Sequence, residues 1–410
     1  GEQDIIKECD NDIEKLKTLF ERNKVFFVVD EAHYVKRDDG LWGNAALQLS
    51  PEAVKRCVLT GTPMPRSYTD LYNIFDLLWP DNKPINRQTR LRLEHCIATD
   101  NELLAEELLN DTVGPLFYRV RKSDLGLGPQ IFHPTEVIRM NPHERQIYNT
   151  IVNEITDFTR EEFRRESEVR ERLRAGRMIR LRQATSYSRL LETAIQDYSD
   201  NWEVENSEAA TLIKGYDELE KPAKLERLVE MVQEFQSEQK KVVIWTHFIG
   251  TLNLIKEELE GLGIRVKTIY GDVPVESNKG LETREHIRKE FMDADSGLDV
   301  LVANPGACAE SISLHKTCFD AIYYDLSYNC AEYLQSLDRI HRVGGSEDVE
   351  VNYYLLQYEN TFEADIVDNL EDKRRRMYGL VEQDYPVYSM DLRQEFNLEP
   401  QIYDSVFGQN

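Results

Sequence analysis

Positive charge is scarce in this sequence. Its 410 residues hold 50 Lys and Arg against 75 Asp and Glu, a net charge of −25. A general nucleic-acid binder carries a basic footprint, so the total taken alone speaks against one, although it leaves open where the charges sit. Long apolar runs are missing as well. Stretches such as Val25-Phe26-Phe27-Val28-Val29 and Val242-Val243-Ile244-Trp245 fall far short of the roughly 20 residues needed to span a bilayer. The opening residues Gly1-Glu2-Gln3-Asp4 are polar and acidic, without the pattern of a signal peptide. Six cysteines are scattered as Cys9, Cys57, Cys96, Cys308, Cys318 and Cys330, with no C-x-x-C pair. That spacing suits neither a zinc site nor a secreted disulfide scaffold, and buried free thiols in a reducing compartment fit it better. No G-x-x-x-x-G-K-[ST] occurs anywhere, so the best-known backbone cradle for phosphates is lacking too.

What is present is ordinary for a folded protein: 41% hydrophobic and 30% charged residues. At roughly 150 residues per domain the length implies two or three domains. Short apolar runs alternate with helical stretches. The runs are 25–29, 56–59, 242–245, 265–269, 300–303, 321–324 and 351–356, with amphipathic helices expected at 5–20, 252–259 and 283–291. Continuous apolar strands alternating with helices imply parallel sheets covered on both faces. The expected unit is a doubly wound α/β domain with its site at the carboxyl ends of strands.

The middle differs in composition. Residues 160–182 carry nine Arg against five Glu, and 192–220 carry nine acids against the single base Lys214. The first stretch reads as a long exposed helix with i,i+4 pairs such as Glu161 with Arg165 and Glu166 with Arg170. The second reads as a partly disordered acidic linker, with Trp202 as a possible anchor.

Three motifs carry chemistry. Asp30-Glu31-Ala32-His33 places two carboxylates directly after the strand at 25–29. In a doubly wound sheet a nucleotide's metal is held there: an Asp holds Mg²⁺ through water, and the adjacent Glu orients and deprotonates the water that attacks the γ-phosphate. The plainer alternative is Asp30 as a helix cap. Leu59-Thr60-Gly61-Thr62-Pro63 also ends a strand, and its hydroxyls can link a nucleotide site to a bound strand; turn chemistry explains Gly61 and Pro63 equally well. Within Gln335-Ser336-Leu337-Asp338-Arg339-Ile340-His341-Arg342-Val343-Gly344, the two arginines are three apart and are expected on one helix face. Paired guanidinium groups suit a transferring phosphoryl group, and a solvated basic face is the alternative.

In this order, with Val242 to Phe248 and Val300 to Leu314 between them, the motifs resemble those of superfamily-two helicases. The connecting sequence resembles the Swi/Snf branch, the ATP-driven double-stranded DNA translocases. It does so through Thr62-Pro63-Met64-Pro65-Arg66-Ser67, through the segment at 117–125 that includes Lys122, through Glu144-Arg145-Gln146-Ile147-Tyr148 and Arg180-Leu181-Arg182-Gln183, and through the DRIHRVG of 338–344. The resemblance covers about residues 20–360. It implies two RecA-like parallel-sheet lobes with an α-helical insertion: 1–125 as the C-terminal part of a first, incomplete lobe, 126–220 as helical protrusion and acidic linker, 221–380 as the second lobe, and 381–410 as a docking tail. It also implies ATP and Mg²⁺ as cofactors and double-stranded DNA as partner.

By the same resemblance, Asp30 and Glu31 hold the metal and activate water, and His33 couples nucleotide state to the lobe. Gln335, Arg339 and Arg342 reach the triphosphate, with Arg342 as the finger. Thr60, Gly61 and Thr62 relay between ATP and DNA. Thr246, Asn304, Ser311 and Ser313, with Lys122, meet the DNA backbone. The fifth motif departs from the family's glycine-rich form by carrying Glu310 and Ser311, a variant similar to bacterial members that act on RNA polymerase. The expected setting is therefore the bacterial cytoplasm, on DNA, in a process such as transcription recycling, restriction or anti-phage defence. Because the family keeps its phosphate loop upstream of the Asp-Glu pair, the chain is expected to be part of a longer protein or one half of a split ATPase, inactive alone and partnered by the missing N-terminal half. The alternatives are a non-catalytic nucleic-acid or protein-interaction module, and a protein-remodelling ATPase whose acidic surface docks a protein partner on a DNA-bound machine.

Overall fold

A computed structural model describes residues 2–35, 40–60, 70–99, 101–116, 125–162, 167–192, 208–274, 282–308 and 312–381. Trp202, the tail at 382–410 and the expected pairing partners Arg165 and Glu166 lie outside these residues. The described residues divide into two compact units, one running to 116 and one spanning 125–378.

The first unit is built on two parallel strands, β1 (Phe26–Val29) and β2 (Lys55–Val58), with Val29 opposite Val58. Helices Glu2–Arg22 and Leu41–Leu49 flank them, and helices Asp70–Leu78, Arg87–Ala98 and Glu102–Val113 follow. Phe27 and Val29 turn inward onto a cluster of Ala32, Val35, Ala46 and Leu77. Phe26 and Val28 turn the other way and are 61% and 45% exposed. The apolar run at 25–29 is thus covered on one face only, because successive side chains of a strand alternate and the described helices cover only the Phe27/Val29 side.

The second unit holds a seven-stranded sheet in which every pairing is parallel. Its strands are β3 (Gln130–Phe132), β4 (Glu136–Ile138), β5 (Val242–Trp245), β6 (Val266–Ile269), β7 (Val300–Ala303), β8 (Asp320–Tyr323) and β9 (Val351–Tyr358). The order is β3-β9-β8-β5-β7-β6, with β4 pairing further along β9. Every residue of the inner strands β5, β7 and β8 is buried. Helices Ala223–Ser237 and Ile249–Gly261 lay Leu225, Leu228, Val232, Leu252, Ile255 and Leu259 onto them. Burial of both sheet faces, expected from the uninterrupted Val/Ile/Leu runs, holds here. The short strands β3 and β4 escape the sequence reading; three residues each carry too little pattern.

The helical insertion differs from its expected form. Among the described residues the stretch 160–182 falls on helices Pro142–Glu162 and Ser167–Ser186, and 163–166 lie outside them. The end of the second is buried, with Arg177, Arg180 and Arg182 only 3%, 4% and 9% exposed. The Arg182 Nε donates to the Leu326 carbonyl at 3.1 Å, and its guanidinium lies 5.1 Å from the Phe248 ring and 5.3 Å from the Tyr328 ring. Stems bury against apolar neighbours while the heads find carbonyls and ring faces, which lets a basic stretch serve as packing surface. The acidic stretch is likewise more ordered than expected where it is described. Helices Glu208–Lys214 and Tyr216–Leu219 bury Ala210, Ile213 and Tyr216.

An ionic cluster joins insertion and sheet. Lys224 is fully buried, and its Nζ donates to Glu363 Oε1 at 2.6 Å and to the Thr185 carbonyl at 3.2 Å. The other Glu363 oxygen accepts the Tyr358 amide at 2.9 Å. The Tyr358 hydroxyl in turn donates to Glu144, which also accepts the amides of Asn141 and Ala223. Burial pushes the Glu144 carboxyl above its ordinary range.

Candidate functional site

In the first unit the chain leaves β1 at Val29 and remains tied to β2. The Leu59 amide donates to the Val29 carbonyl at 2.8 Å, and the Ala32 amide donates to the Leu59 carbonyl at 3.0 Å. Between these bonds stand Asp30 and Glu31. Glu31 has φ of 49°, a left-handed conformation that non-glycine residues adopt at some cost and that recurs at functional sites. Its amide donates to the Asp30 carboxylate at 2.9 Å, which holds that carboxylate against the Glu31 backbone. Asp30 is exposed and Glu31 half-buried, at the carboxyl end of a parallel strand. Asp30 caps no long helix; a single 3-10 turn, Ala32–Val35, follows and carries His33. Thr60 stands half-buried one residue past Leu59, whereas Gly61, Thr62 and Lys122 lie outside the described residues. Two adjacent carboxylates at an open strand end fit a hydrated Mg²⁺, which takes one or two carboxylates and keeps several waters.

In the second unit the ends of β5, β7 and β8 lie side by side, since Trp245 is opposite both Ala303 and Tyr323. The next residues are polar: Thr246 and His247, Asn304, and Asp325. Thr246 is fully buried, and its hydroxyl donates to Asp325 Oδ2 at 2.6 Å. The same carboxylate accepts the Ser186 hydroxyl at 2.7 Å and, through Oδ1, the His247 amide at 2.8 Å. The Asn304 side chain donates to the His247 carbonyl at 2.8 Å and accepts the Ala307 amide at 3.2 Å. The hydroxyl of Thr246 and the amide of Asn304, expected at a DNA backbone, are thus engaged within the unit. These bonds hold the strand ends of β5, β7 and β8 together. Asp325, with Ser186 as its link to the helical insertion, is a residue the sequence reading missed. The signal was there: Asp325 ends the run at 321–324 much as Asp30 ends the run at 25–29.

Two groups of the second unit, one at each end of the sheet, titrate far from their usual range. Burial, aided by the Arg182 charge and opposed by Asp325, lowers the His247 imidazole to about 4. Burial raises the Asp320 carboxyl, at the start of β8, to about 6. Their effects on stability have opposite signs. Between pH 6.5 and 4 an unfolded chain protonates His247 and the folded one does not, so acidification destabilises the fold through this residue. Between pH 6 and about 3.8 the folded chain protonates Asp320 and the unfolded one does not, so acidification stabilises through it. Denaturant titrations at pH 7.5 and 5.0 should therefore show His247→Gln losing less stability on acidification than the parent and Asp320→Asn losing more. Parallel responses would contradict both assignments.

The arginines sit elsewhere than expected. Helix Cys330–Leu337 carries Gln335 but ends before Asp338, so Arg339 and Arg342 lie on the turns that follow instead of on one helix face. The two are still brought to the fifth motif. The Arg339 carbonyl accepts the Leu314 amide at 2.8 Å, and the exposed Arg342 guanidinium donates to Ser313 at 2.9 Å. Ser311 is outside the described residues. Gln335 is half-buried on the last helical turn.

Comparison with known proteins gives two family matches. Residues 5–190 match the SNF2-related domain, and residues 221–344 match the helicase conserved C-terminal domain. An uncharacterized ATP-dependent helicase of Mycoplasma pneumoniae is 24% identical over 88% of this chain and 31% of that protein. A SWI/SNF-related, matrix-associated, actin-dependent regulator of chromatin of Mus musculus is 23% identical over 92% of this chain and 33% of that protein. The chain thus spans about a third of the length of either relative. Among solved structures, the Sulfolobus solfataricus SWI2/SNF2 ATPase core in complex with dsDNA is 20% identical, over 90% of this chain and 73% of that one, with a TM-score of 0.44.

Proposed function

We propose, from the premise that this chain belongs to the SNF2-related helicases, that it is the part of an ATP-driven duplex-DNA translocase bearing the metal carboxylates and the arginines. The observation that carries this reading is the Asp30–Glu31 pair, held at the open carboxyl end of β1 with Glu31 in a left-handed backbone. Asp30 would hold Mg²⁺ through water, and the ion would neutralise charge on the phosphates. Glu31 would orient the attacking water and accept its proton. Arg342, exposed beside Ser313, and Arg339 would face charge developing on the transferring phosphoryl group, with Gln335 contributing a polar contact. Thr60 and the strand-end segment of Thr246, His247 and Asn304 would pass the nucleotide's state to bound DNA.

The phosphate lysine and glycine-rich cradle do not occur in the sequence, so the purified 410-residue chain should hydrolyse ATP at background rate, with or without DNA. It should hold duplex DNA weakly, with affinity falling steeply between about 50 mM and about 200 mM salt, because phosphate contacts release counterions. Coupled-enzyme assay of turnover and fluorescence anisotropy with a labelled duplex test the two halves. Robust DNA-stimulated turnover would overturn the inactivity. Absence of any DNA binding would shift the reading to a protein-interaction module, and an ATPase rate that does not depend on DNA length would favour a protein-remodelling motor.

A further inference from the structure

The chain enters the second unit at residues 125–130, and it does so across the arginine-bearing turn. The Gly128 amide donates to the Ser346 carbonyl at 2.7 Å. The Gly128 carbonyl accepts from His341 Nε2 at 2.8 Å, which requires the proton on that nitrogen. At the next residue the Pro129 carbonyl accepts the Val351 amide at 3.0 Å, and β3 then pairs with β9 from Gln130 onward. Gly128 has no room for a side chain: a β-carbon there would lie 2.2 Å from the Val349 carbonyl oxygen and 2.9 Å from that of Ser346. Both neighbours are backbone, so neither can rotate away.

From Gly128 the bonding continues to the arginine. Ser346, fully buried, accepts the Arg342 amide with its hydroxyl and donates to the Arg342 carbonyl, each at 2.8 Å. Arg342 then reaches Ser313. The path Gly128–Ser346–Arg342–Ser313 is an unbroken series of hydrogen bonds, flanked by His341 on the same turn.

We propose that Gly128 and His341 are positioning residues: they strap the segment on which the chain enters the second unit onto the turn at 338–346, so that a pull on that segment is delivered to Arg339 and Arg342. The consequence for turnover rests on the ATPase reading given above; the strap does not. In this arrangement the segment at 125–130 is also an element that sets where the arginine-bearing turn stands.

Hydrogen–deuterium exchange on the full 410-residue chain, read by mass spectrometry without nucleotide, tests this. In Gly128→Ala the amides of 338–346 should exchange roughly tenfold faster, while those of β5 and β7 keep their protection. A second pair decides independently of any folding defect from the added methyl group: His341→Leu should loosen 338–346, and His341→Gln, which keeps a donor, should restore protection. Unchanged exchange at 338–346 in Gly128→Ala and His341→Leu would overturn the proposal. So would loss of protection spread evenly over the unit, or failure of His341→Gln to differ from His341→Leu. A failed strap with DNA binding intact would leave the motor reading in place, and the reverse result would leave the strap in place.

Discussion

Glu363→Ala should destabilise the second unit by about 3–5 kcal/mol, because it strands the Lys224 ammonium in a fully buried site. For a unit of this size that corresponds to a fall of roughly 6–20 °C in melting temperature. The Lys224 ammonium would keep only the Thr185 carbonyl and the faces of the Tyr358 and Tyr324 rings, 4.7 and 5.8 Å away. The Tyr358 amide would lose its acceptor as well. Lys224→Met should cost a similar amount by leaving the Glu363 carboxylate unpaired. The double variant Lys224→Met/Glu363→Gln removes both charges yet retains an acceptor for the Tyr358 amide, so it should recover more than half of the loss. Replacing both partners of a buried pair often comes near neutrality, whereas removing one does not. Differential scanning calorimetry with a thermodynamic cycle over the three variants measures this. A strictly additive double variant would mean that the two side chains do not depend on one another.

Asp325→Ala should cost about 3 kcal/mol, with a different structural signature. It removes one acceptor from three buried or half-buried donors at once: the Thr246 and Ser186 hydroxyls and the His247 amide. Each stranded donor carries a desolvation penalty of about 1–3 kcal/mol, and the three overlap in one network, so their costs do not add fully. Ser186 retains one further bond, to the Thr251 hydroxyl at 2.7 Å. The carboxylate holds the end of helix Ser167–Ser186 to the ends of β5 and β8, so limited proteolysis should cut this helix faster in the variant. Asp325→Asn keeps an acceptor for the His247 amide, and both hydroxyls can rotate to accept from its NH₂ group, so it should lose only about half as much. Equal behaviour of the Ala and Asn variants, or no gain in cleavage within 167–186, would refute the role given to Asp325.

Much of this architecture was readable from the chain, for a physical reason. Continuous Val/Ile/Leu runs such as 242–245 and 300–303 have few alternatives to a strand covered on both faces, and the structure places strands at those residues. The Asp30–Glu31 pair was readable because its neighbours in sequence are also its neighbours in space. What failed depended on partners far away along the chain. The arginines of 177–182 read as a solvated face because nothing local shows that Leu326, Phe248 and Tyr328 will meet them. Lys224 and Glu363 are 139 residues apart, and no periodicity links them. The helix expected to carry Arg339 and Arg342 ends at Leu337, where the chain turns back so that the Arg339 carbonyl can take the Leu314 amide. The exposed half of β1 has the same origin: the run Val25-Phe26-Phe27-Val28-Val29 states that the strand is apolar, not how many faces the described helices cover.

The pairing of β3 with β9 has a consequence for the order of events during synthesis. Gln130 pairs with Val351, so a strand made early must wait for more than two hundred further residues before its neighbour exists. The buried ammonium of Lys224 also lacks its partner until Glu363 has been made, 139 residues later. While the chain is on the ribosome, β5, β6 and β7 can begin to associate, but the side of the sheet formed by β3, β4 and β9 stays open until residue 358 has emerged. Contacts this distant along a chain form late and slowly, since the intervening loop must be ordered before the pairing rewards it. Completion of the second unit therefore waits on its last strand, and until β9 is available the nascent chain carries an apolar sheet edge uncovered.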